Sequence, residues 1–308
     1  MTSHTAKLTP EQAEALRGIL AKRDFESAEV PHADFSYKRP KLAITWDKSG
    51  KLLIQGKGTQ EFVEFTLEPE LLGQAAFADA LDAQPEQLEP RLGVDESGKG
   101  DFFGPLVVAG VYVNEPVARA LDGLGVKDSK AIASDKKIAA LAKGIRDTPG
   151  CVYSVVPIGN ASYNRLHQKM RNVNKILAWG HARVIENLLG QRDRMNPAPL
   201  RAISDQFARS KATIQSALME EGRQLKLVQM HKAESDIAVA AASILARDLF
   251  VQRLSALGRE FDLELPKGAS SKVDAAGAAF LKKHGMDKLG QAAKLHFRTT
   301  QKIQASLL

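Results

Sequence analysis

Arg91-Leu-Gly-Val-Asp-Glu-Ser-Gly-Lys-Gly-Asp-Phe-Phe-Gly-Pro-Leu-Val-Val-Ala-Gly-Val-Tyr112 is the stretch that decides the fold of this 308-residue chain. A short apolar run ends in two adjacent carboxylates, Asp95 and Glu96, and a glycine-rich turn follows. The next run, Leu106 to Val113, is β-branched enough to be a buried strand. Charge at the end of a strand is costly to bury without a partner, so two neighbouring carboxylates need solvent or a cation. A divalent-metal site built on a sheet is the reading that follows.

Two further places repeat the pattern of a carboxylate just past an apolar strand. Leu200 to Ser204 leads to Asp205, and Leu225 to Met230 leads to Glu234. In open α/β sheets functional residues gather where strands end. Oxygen-only ligands suit Mg²⁺ or Mn²⁺, and two such ions about 3.5–4 Å apart serve phosphodiester hydrolysis. A lone Asp after a strand is more often a turn or cap residue, and spacing alone does not bring the three places together. Gly98-Lys99-Gly100 lets backbone amides approach a ligand, but a tight turn needs glycine too, and the G-x-x-x-x-G-K-[ST] spacing is absent. Asp128-Ser129-Lys130 reads as phosphate contact or polar surface. His181 and His231 read as ligands or proton carriers, or, as a lone His more often is, as satisfied structural residues; no H-E-x-x-H spacing and no G-x-S-x-G exists.

Around this centre the elements alternate. Thr9-Pro10-Glu11-Gln12 starts a helix with a capping box, and Leu42 to Trp46 with Lys51 to Gln55 forms a hairpin through Gly50. Glu61 to Leu72 reads as helix. Residues 1–70 make a small α+β domain, and 71–90, acidic and without a basic residue, a linker with a short helix at 75–81. Residues 91–308 make an α/β domain, a mixed sheet flanked by helices. Its further strand is Val152–Val156, and its helices are Asn174–Leu189, Ile237–Leu257, Gly277–His284 and Leu289–Phe297.

Composition narrows the class. Hydrophobic residues at 44% and charged residues at 26% fit a folded globular chain, and no apolar run reaches the length of a membrane span. A single cysteine, Cys151, excludes an internal disulfide framework and a cysteine zinc site. A cytoplasmic, monomeric protein is expected. The net charge of +7 favours an anionic partner. Six basic residues against Asp47 lie between Lys38 and Lys57, and eight against Asp274 and Asp287 lie from Leu265 onward.

The run Asp95 to Pro105, with Asp101 after the Gly98-Lys99-Gly100 turn, is joined by Asp128-Ser129-Lys130, by Asn164 to His181 and by Lys232-Ala-Glu-Ser235 before Ala240 to Arg247. With Leu265 to Ala269 and Lys294-Leu-His-Phe297, these motifs resemble the type 2 ribonucleases H, and within them the ribonuclease HIII branch. Ser49 to Lys57 resembles the hairpin of that branch's N-terminal domain, shaped like half of a TATA-binding protein. The resemblance implies Asp95, Glu96, Asp205 and Glu234 as ligands of two Mg²⁺ or Mn²⁺ ions, with Asp236 an alternative to Glu234. It implies that Gly98, Lys99 and Gly100 meet ribose 2′-hydroxyls, and that Ser129, Lys130, Lys51 and Lys57 also touch the nucleic acid. The implied reaction is cleavage of the RNA strand of RNA/DNA hybrids, leaving 3′-hydroxyl and 5′-phosphate ends, with stretches of ribonucleotides preferred. The rivals are ribonuclease HII-like excision at single ribonucleotides and non-catalytic nucleic-acid binding.

Overall fold

Thr9 and Gln12 close the capping box their spacing predicts: the Thr9 amide donates to Gln12 Oε1 at 2.9 Å, and the Gln12 amide to Thr9 Oγ1 at 3.3 Å. The helix they open, α1 (Pro10–Ala21), buries Ala13, Leu16 and Leu20. In the computed structural model the described residues are 3–21, 25–31, 33–63, 66–67, 88–127, 129, 132–205, 216–230 and 233–305. They fall in two units, Met1–Gln84 and Pro85–Leu308. The expected short helix at 75–81 lies outside the described residues.

In the first unit five strands, β1 (Ser3–Lys7), β2 (Glu26–Ser27), β3 (Ala33–Arg39), β4 (Leu42–Asp47) and β5 (Lys51–Gln55), form an antiparallel sheet ordered β1-β5-β4-β3-β2. The expected hairpin is β4–β5. Asp47 Oδ1 accepts from the Ser49 and Lys51 amides, and Gly50 takes φ 85°. Alternation sends Ile44, Leu52 and Ile54 to a core shared with Leu16 and Leu20. Lys7, Thr45, Lys51 and Gln55 fall on the other face. A helical turn, α2 (Thr59–Phe62), overlaps the start of the helix expected over Glu61–Leu72, of which residues 61–63 and 66–67 are described.

The second unit contains β6 (Arg91–Ser97), β7 (Leu106–Val113), α3 (Glu115–Gly123), α4 (Asp135–Asp147), β8 (Val152–Ile158), α5 (Asn160–Met170), α6 (Val173–Leu189), β9 (Arg201–Asp205), β10 (Lys226–Met230), α7 (Ile237–Glu260), α8 (Ser271–Ala292) and α9 (Arg298–Ala305). The sheet order is β10-β9-β6-β7-β8; β10–β9 and β9–β6 pair parallel and β7 pairs antiparallel with both β6 and β8, so it is mixed as expected. α7 covers one face and α6 the other.

Both helices dock where the central strands lack a side chain. A Cβ on Gly93 would lie 2.2 Å from the Ala238 carbonyl carbon and 2.3 Å from the Val239 nitrogen of α7. One on Gly110 would lie 2.4 Å from Val184 Cγ1 of α6. Arg91 and Asp236 then lock the start of α7. Arg91 Nε donates to Asp236 Oδ2 at 2.7 Å, and Asp236 Oδ1 caps the helix through the Ala238 amide at 2.9 Å. Both side chains are almost wholly buried.

The end of the chain departs from the expected Leu289–Phe297 helix. α8 stops at Ala292 because Ala293 bridges to Phe103 and the buried Lys294 turns inward. The Lys294 ammonium donates to the Asp101 and Gly104 carbonyls at 2.8 and 2.6 Å, bonds that a continued helix would forgo. The expected Gly277–His284 helix is the middle of α8, in which Gly285 takes φ 78°.

Gly93→Ala should therefore destabilise the chain by about 3 kcal/mol, since the clash is with backbone that cannot swing aside. Urea unfolding would measure it. A destabilisation below about 0.5 kcal/mol, the size of a neutral surface change, would contradict the close docking of α7.

Candidate active site

β6 carries the first two carboxylates inside the strand rather than past its end, since its pairing with β7 runs on to Ser97. Successive strand residues face opposite ways. Arg91, Gly93 and Asp95 therefore face α7, while Leu92, Val94 and Glu96 face α6. The burial agrees: Leu92 and Val94 sit in the core under α6, and Gly93 and Arg91 meet the start of α7. In the parallel ladder Val94 stands opposite Ser204. Asp95 and Asp205 are the next residues of the two strands, and both line one cavity.

A cavity of about 430 Å³ opens at this end of the sheet. It is lined by Asp95, Glu96, Asp205, Gly98, Lys99, Gly100 and Ser129, and also by Ser97, Asp101, Ser243, Arg247, Phe250 and Lys267. Three of the four expected carboxylates thus meet. Glu234 lies in the 3₁₀ turn Ala233–Ser235 that leads into α7 and is not part of the lining. Asp236, the alternative fourth ligand, is committed to Arg91 and to the helix cap. Lys130, Asp128 and His231 lie outside the described residues. Among the described residues no three Asp, Glu, His or Cys side chains are grouped so as to hold a metal ion. The opposed directions of Asp95 and Glu96 account for part of this.

The two outer glycines of the turn differ. Gly98 takes φ 90°, and a Cβ there would meet the Pro105 carbonyl oxygen at 2.2 Å and Phe250 at 2.9 Å. Turn geometry alone demands that glycine. Nothing lies within 4 Å of a Cβ on Gly100, and its φ is ordinary, so the fold does not require glycine there. The turn is held from below by the residues after it. Asp101 Oδ1 accepts from the Gly268 amide at 2.6 Å, and the Phe102 amide donates to the Gly268 carbonyl at 2.9 Å. Burial pushes the Lys294 ammonium down to about 7, against the opposing charge of Asp101.

The far wall belongs to α7. Ser243, Arg247 and Phe250 follow the i, i+4, i+7 spacing of one helix face. Ser243 Oγ and Ser129 Oγ lie 2.7 Å apart. Arg247 donates to the Ser129 carbonyl, to the Ile132 carbonyl at 2.9 Å and to Asp135 at 3.3 Å. Lys267 reaches Asp135 at 2.6 Å. Burial works against the Asp135 carboxylate, but Lys267 and Arg247 outweigh it and hold it below the usual range. The sequence alone assigns no role to Ser243, Arg247, Phe250 or Lys267, although the helical spacing of the first three is there to be read.

On the opposite side His181, on α6 and without solvent exposure, lies with Nε2 3.0 Å from Glu96 Oε2, and Lys99 Nζ lies 3.8 Å from Glu96 Oε1.

The Ribonuclease HII family model matches residues 92–300, and a domain of unknown function, DUF3378, matches residues 4–72. Ribonuclease HIII of Chlamydia pneumoniae is 43% identical over 300 residues, covering 96% of each chain. Ribonuclease HIII of Protochlamydia amoebophila is 43% identical over 291 residues, covering 94% of this chain and 93% of that one. The crystal structure of Bst-RNase HIII in complex with Mn²⁺ superposes with a TM-score of 0.65 at 33% identity, covering 99% of both chains. Aquifex aeolicus RNase H3 gives a TM-score of 0.54 at 25% identity, covering 95% of this chain and 99% of that one. The chain belongs to the ribonuclease HIII family of type 2 ribonucleases H.

Proposed function

We propose that this ribonuclease H is an endoribonuclease that hydrolyses the RNA strand of RNA/DNA hybrids with divalent cations. The observation that carries the reading is the convergence of Asp95, Glu96 and Asp205 on one cavity beside the Gly98–Gly100 turn. Three carboxylates with no sulfur or imidazole among them as ligands form a donor set that fits Mg²⁺ or Mn²⁺. Asp95, Glu96 and Asp205 would hold the ions, with Glu234 joining them as the family resemblance implies. When bound, such ions lower the pKa of water and neutralise charge on the phosphate oxygens, and the family resemblance implies 3′-hydroxyl and 5′-phosphate ends.

The remaining roles belong to the chain itself. Gly100, with open space where a side chain would stand, leaves the backbone free to approach a ribose. A 2′-hydroxyl at that place distinguishes RNA from DNA. Gly98 and Lys99 would meet ribose 2′-hydroxyls beside Gly100, and Ser129, which lines the cavity, would touch the nucleic acid, as Lys130 would by the family resemblance. Lys51, on the sheet face away from α1, and Lys57, just past β5, would hold the duplex with the rest of residues 1–70; both are exposed. A preference for runs of ribonucleotides over a single embedded one follows from the family resemblance. No helix among the described residues is long and apolar enough to cross a membrane.

The deciding assay is cleavage of a strand-labelled RNA/DNA hybrid with Mg²⁺ and then Mn²⁺, by the natural chain and by Asp95→Asn. We expect the natural chain to cut the RNA strand and the variant to bind the hybrid without cutting. Equal cutting by both would contradict the site. Gly100→Ala should leave thermal stability unchanged and raise KM for the hybrid about tenfold, a cost of about 1.4 kcal/mol in binding. An unchanged KM would remove Gly100 from the substrate contact. Lys51→Ala with Lys57→Ala should make log affinity fall less steeply with log salt, by about one unit of slope for each phosphate no longer neutralised. An unaltered slope would take the hairpin out of the duplex contact.

A further inference from the structure

The sheet's alternation creates a difficulty for Glu96. Leu92 and Val94, the preceding residues on that face, are fully buried under α6. Glu96 leaves the strand toward the same helix and away from the face that carries Asp95. A carboxylate leaving the strand on that side is held in place by a donor from α6.

α6 supplies one. Its inward side is apolar except at His181, which has no solvent exposure and lies among Ala178, Ala182 and Val184. The helix comes close enough because a Cβ on the neighbouring Gly180 would stand 2.7 Å from Val108 Cγ2, and Val108 is the ladder partner of Glu96. Close docking at Gly180 therefore delivers the next residue's ring to the next strand's carboxylate. His181 Nε2 lies 3.0 Å from Glu96 Oε2. A carboxylate only accepts, so Nε2 carries the proton and donates. The other oxygen, Oε1, is the one 3.8 Å from Lys99 of the glycine turn.

We propose that His181 is a positioning residue: it anchors Glu96 Oε2 from the α6 side so that Oε1 is presented to the cavity that Asp95 and Asp205 share. Glu96, anchored in this way, serves the site from the opposite face of the strand. The inference rests on the metal-dependent reading given above. Removing a group that orients a ligand typically costs 10–100-fold in metal affinity or activity while leaving substrate contacts alone.

The test uses the full chain, its His181→Leu variant and its His181→Gln variant, whose longer amide can still reach Glu96. Three quantities are measured: Mn²⁺ affinity from the spin-resonance signal of free Mn²⁺, kcat and KM on the hybrid, and melting temperature without metal. For His181→Leu we expect Mn²⁺ affinity and kcat to fall about 10–100-fold with KM within about twofold. For His181→Gln we expect both within a few fold of the natural chain. A folded His181→Leu protein with undiminished Mn²⁺ affinity and kcat overturns the proposal. So does a folded His181→Gln protein whose affinity and kcat fall about 10-fold or more, which would assign the role to ring packing instead of the hydrogen bond. If His181→Leu fails to fold, the Gln variant decides on the same two criteria. Failure of the natural chain to cleave the hybrid in the same assay would instead overturn the functional reading on which this rests.

Discussion

The packing of two helices against opposite faces of β6 and β7 is the constraint on which the second unit depends. α7 presses its backbone onto Gly93, and α6 presses Val184 into the space at Gly110. A side chain at either place would lift a helix off the sheet. Because the contact is with main chain and branched side chains, it also fixes the helices along the strand. The buried Arg91–Asp236 pair adds a polar lock at the start of α7. Breaking such a pair from one side costs about 3–5 kcal/mol, since it strands a buried charge. That commitment explains why Asp236 serves the fold and leaves the cavity to others.

The same docking assembles the cavity. α7 brings Ser243, Arg247 and Phe250 over the glycine turn, and α6 brings His181 under Glu96. Parallel pairing of β6 with β9 runs to Val94 and Ser204, and Asp95 and Asp205, the next residues, line one cavity. Negative charge concentrated in this way is unfavourable within the protein alone and favourable toward cations. Lys99, Arg247 and Lys267 also line the cavity, so it brings cationic groups beside the three carboxylates. A phosphodiester needs that combination: anionic ligands for a cation and positive groups for its own phosphates.

Much of this is legible in the residues. The capping box at Thr9, the β4–β5 hairpin, β6, β7, β8 and the long α7 all follow from period and cap signals that the structure repeats. β1 is not legible, since Ser3-His-Thr-Ala-Lys7 offers almost no apolar alternation and is held by pairing with β5. α4 is missing from the expected helices, although Ile138, Leu141, Ala142 and Ile145 follow helical spacing. Leu289 to Phe297 has the composition of a helix, but the hydrogen bonds of Lys294 to the Asp101 and Gly104 carbonyls are tertiary and accompany its early end. In the site, the residue types and their positions at strand ends are visible. Which face each side chain takes depends on register and on the partner strand, and neither can be read from a single strand. Hence Asp95 and Asp205 can be named as candidates but not seen as neighbours, and the tie of Glu96 to His181 cannot be seen at all.

Asp95 and Asp205, from strands far apart in the chain, should act as one unit if the cavity works as described. The decisive experiment is single-turnover cleavage of an RNA/DNA hybrid by Asp95→Asn, by Asp205→Asn and by the double variant. Groups that work as a unit lose little more when both are removed than when one is. We predict a double variant no slower than the slower single one. Rate reductions that multiply would show two independent contributions and contradict the shared site.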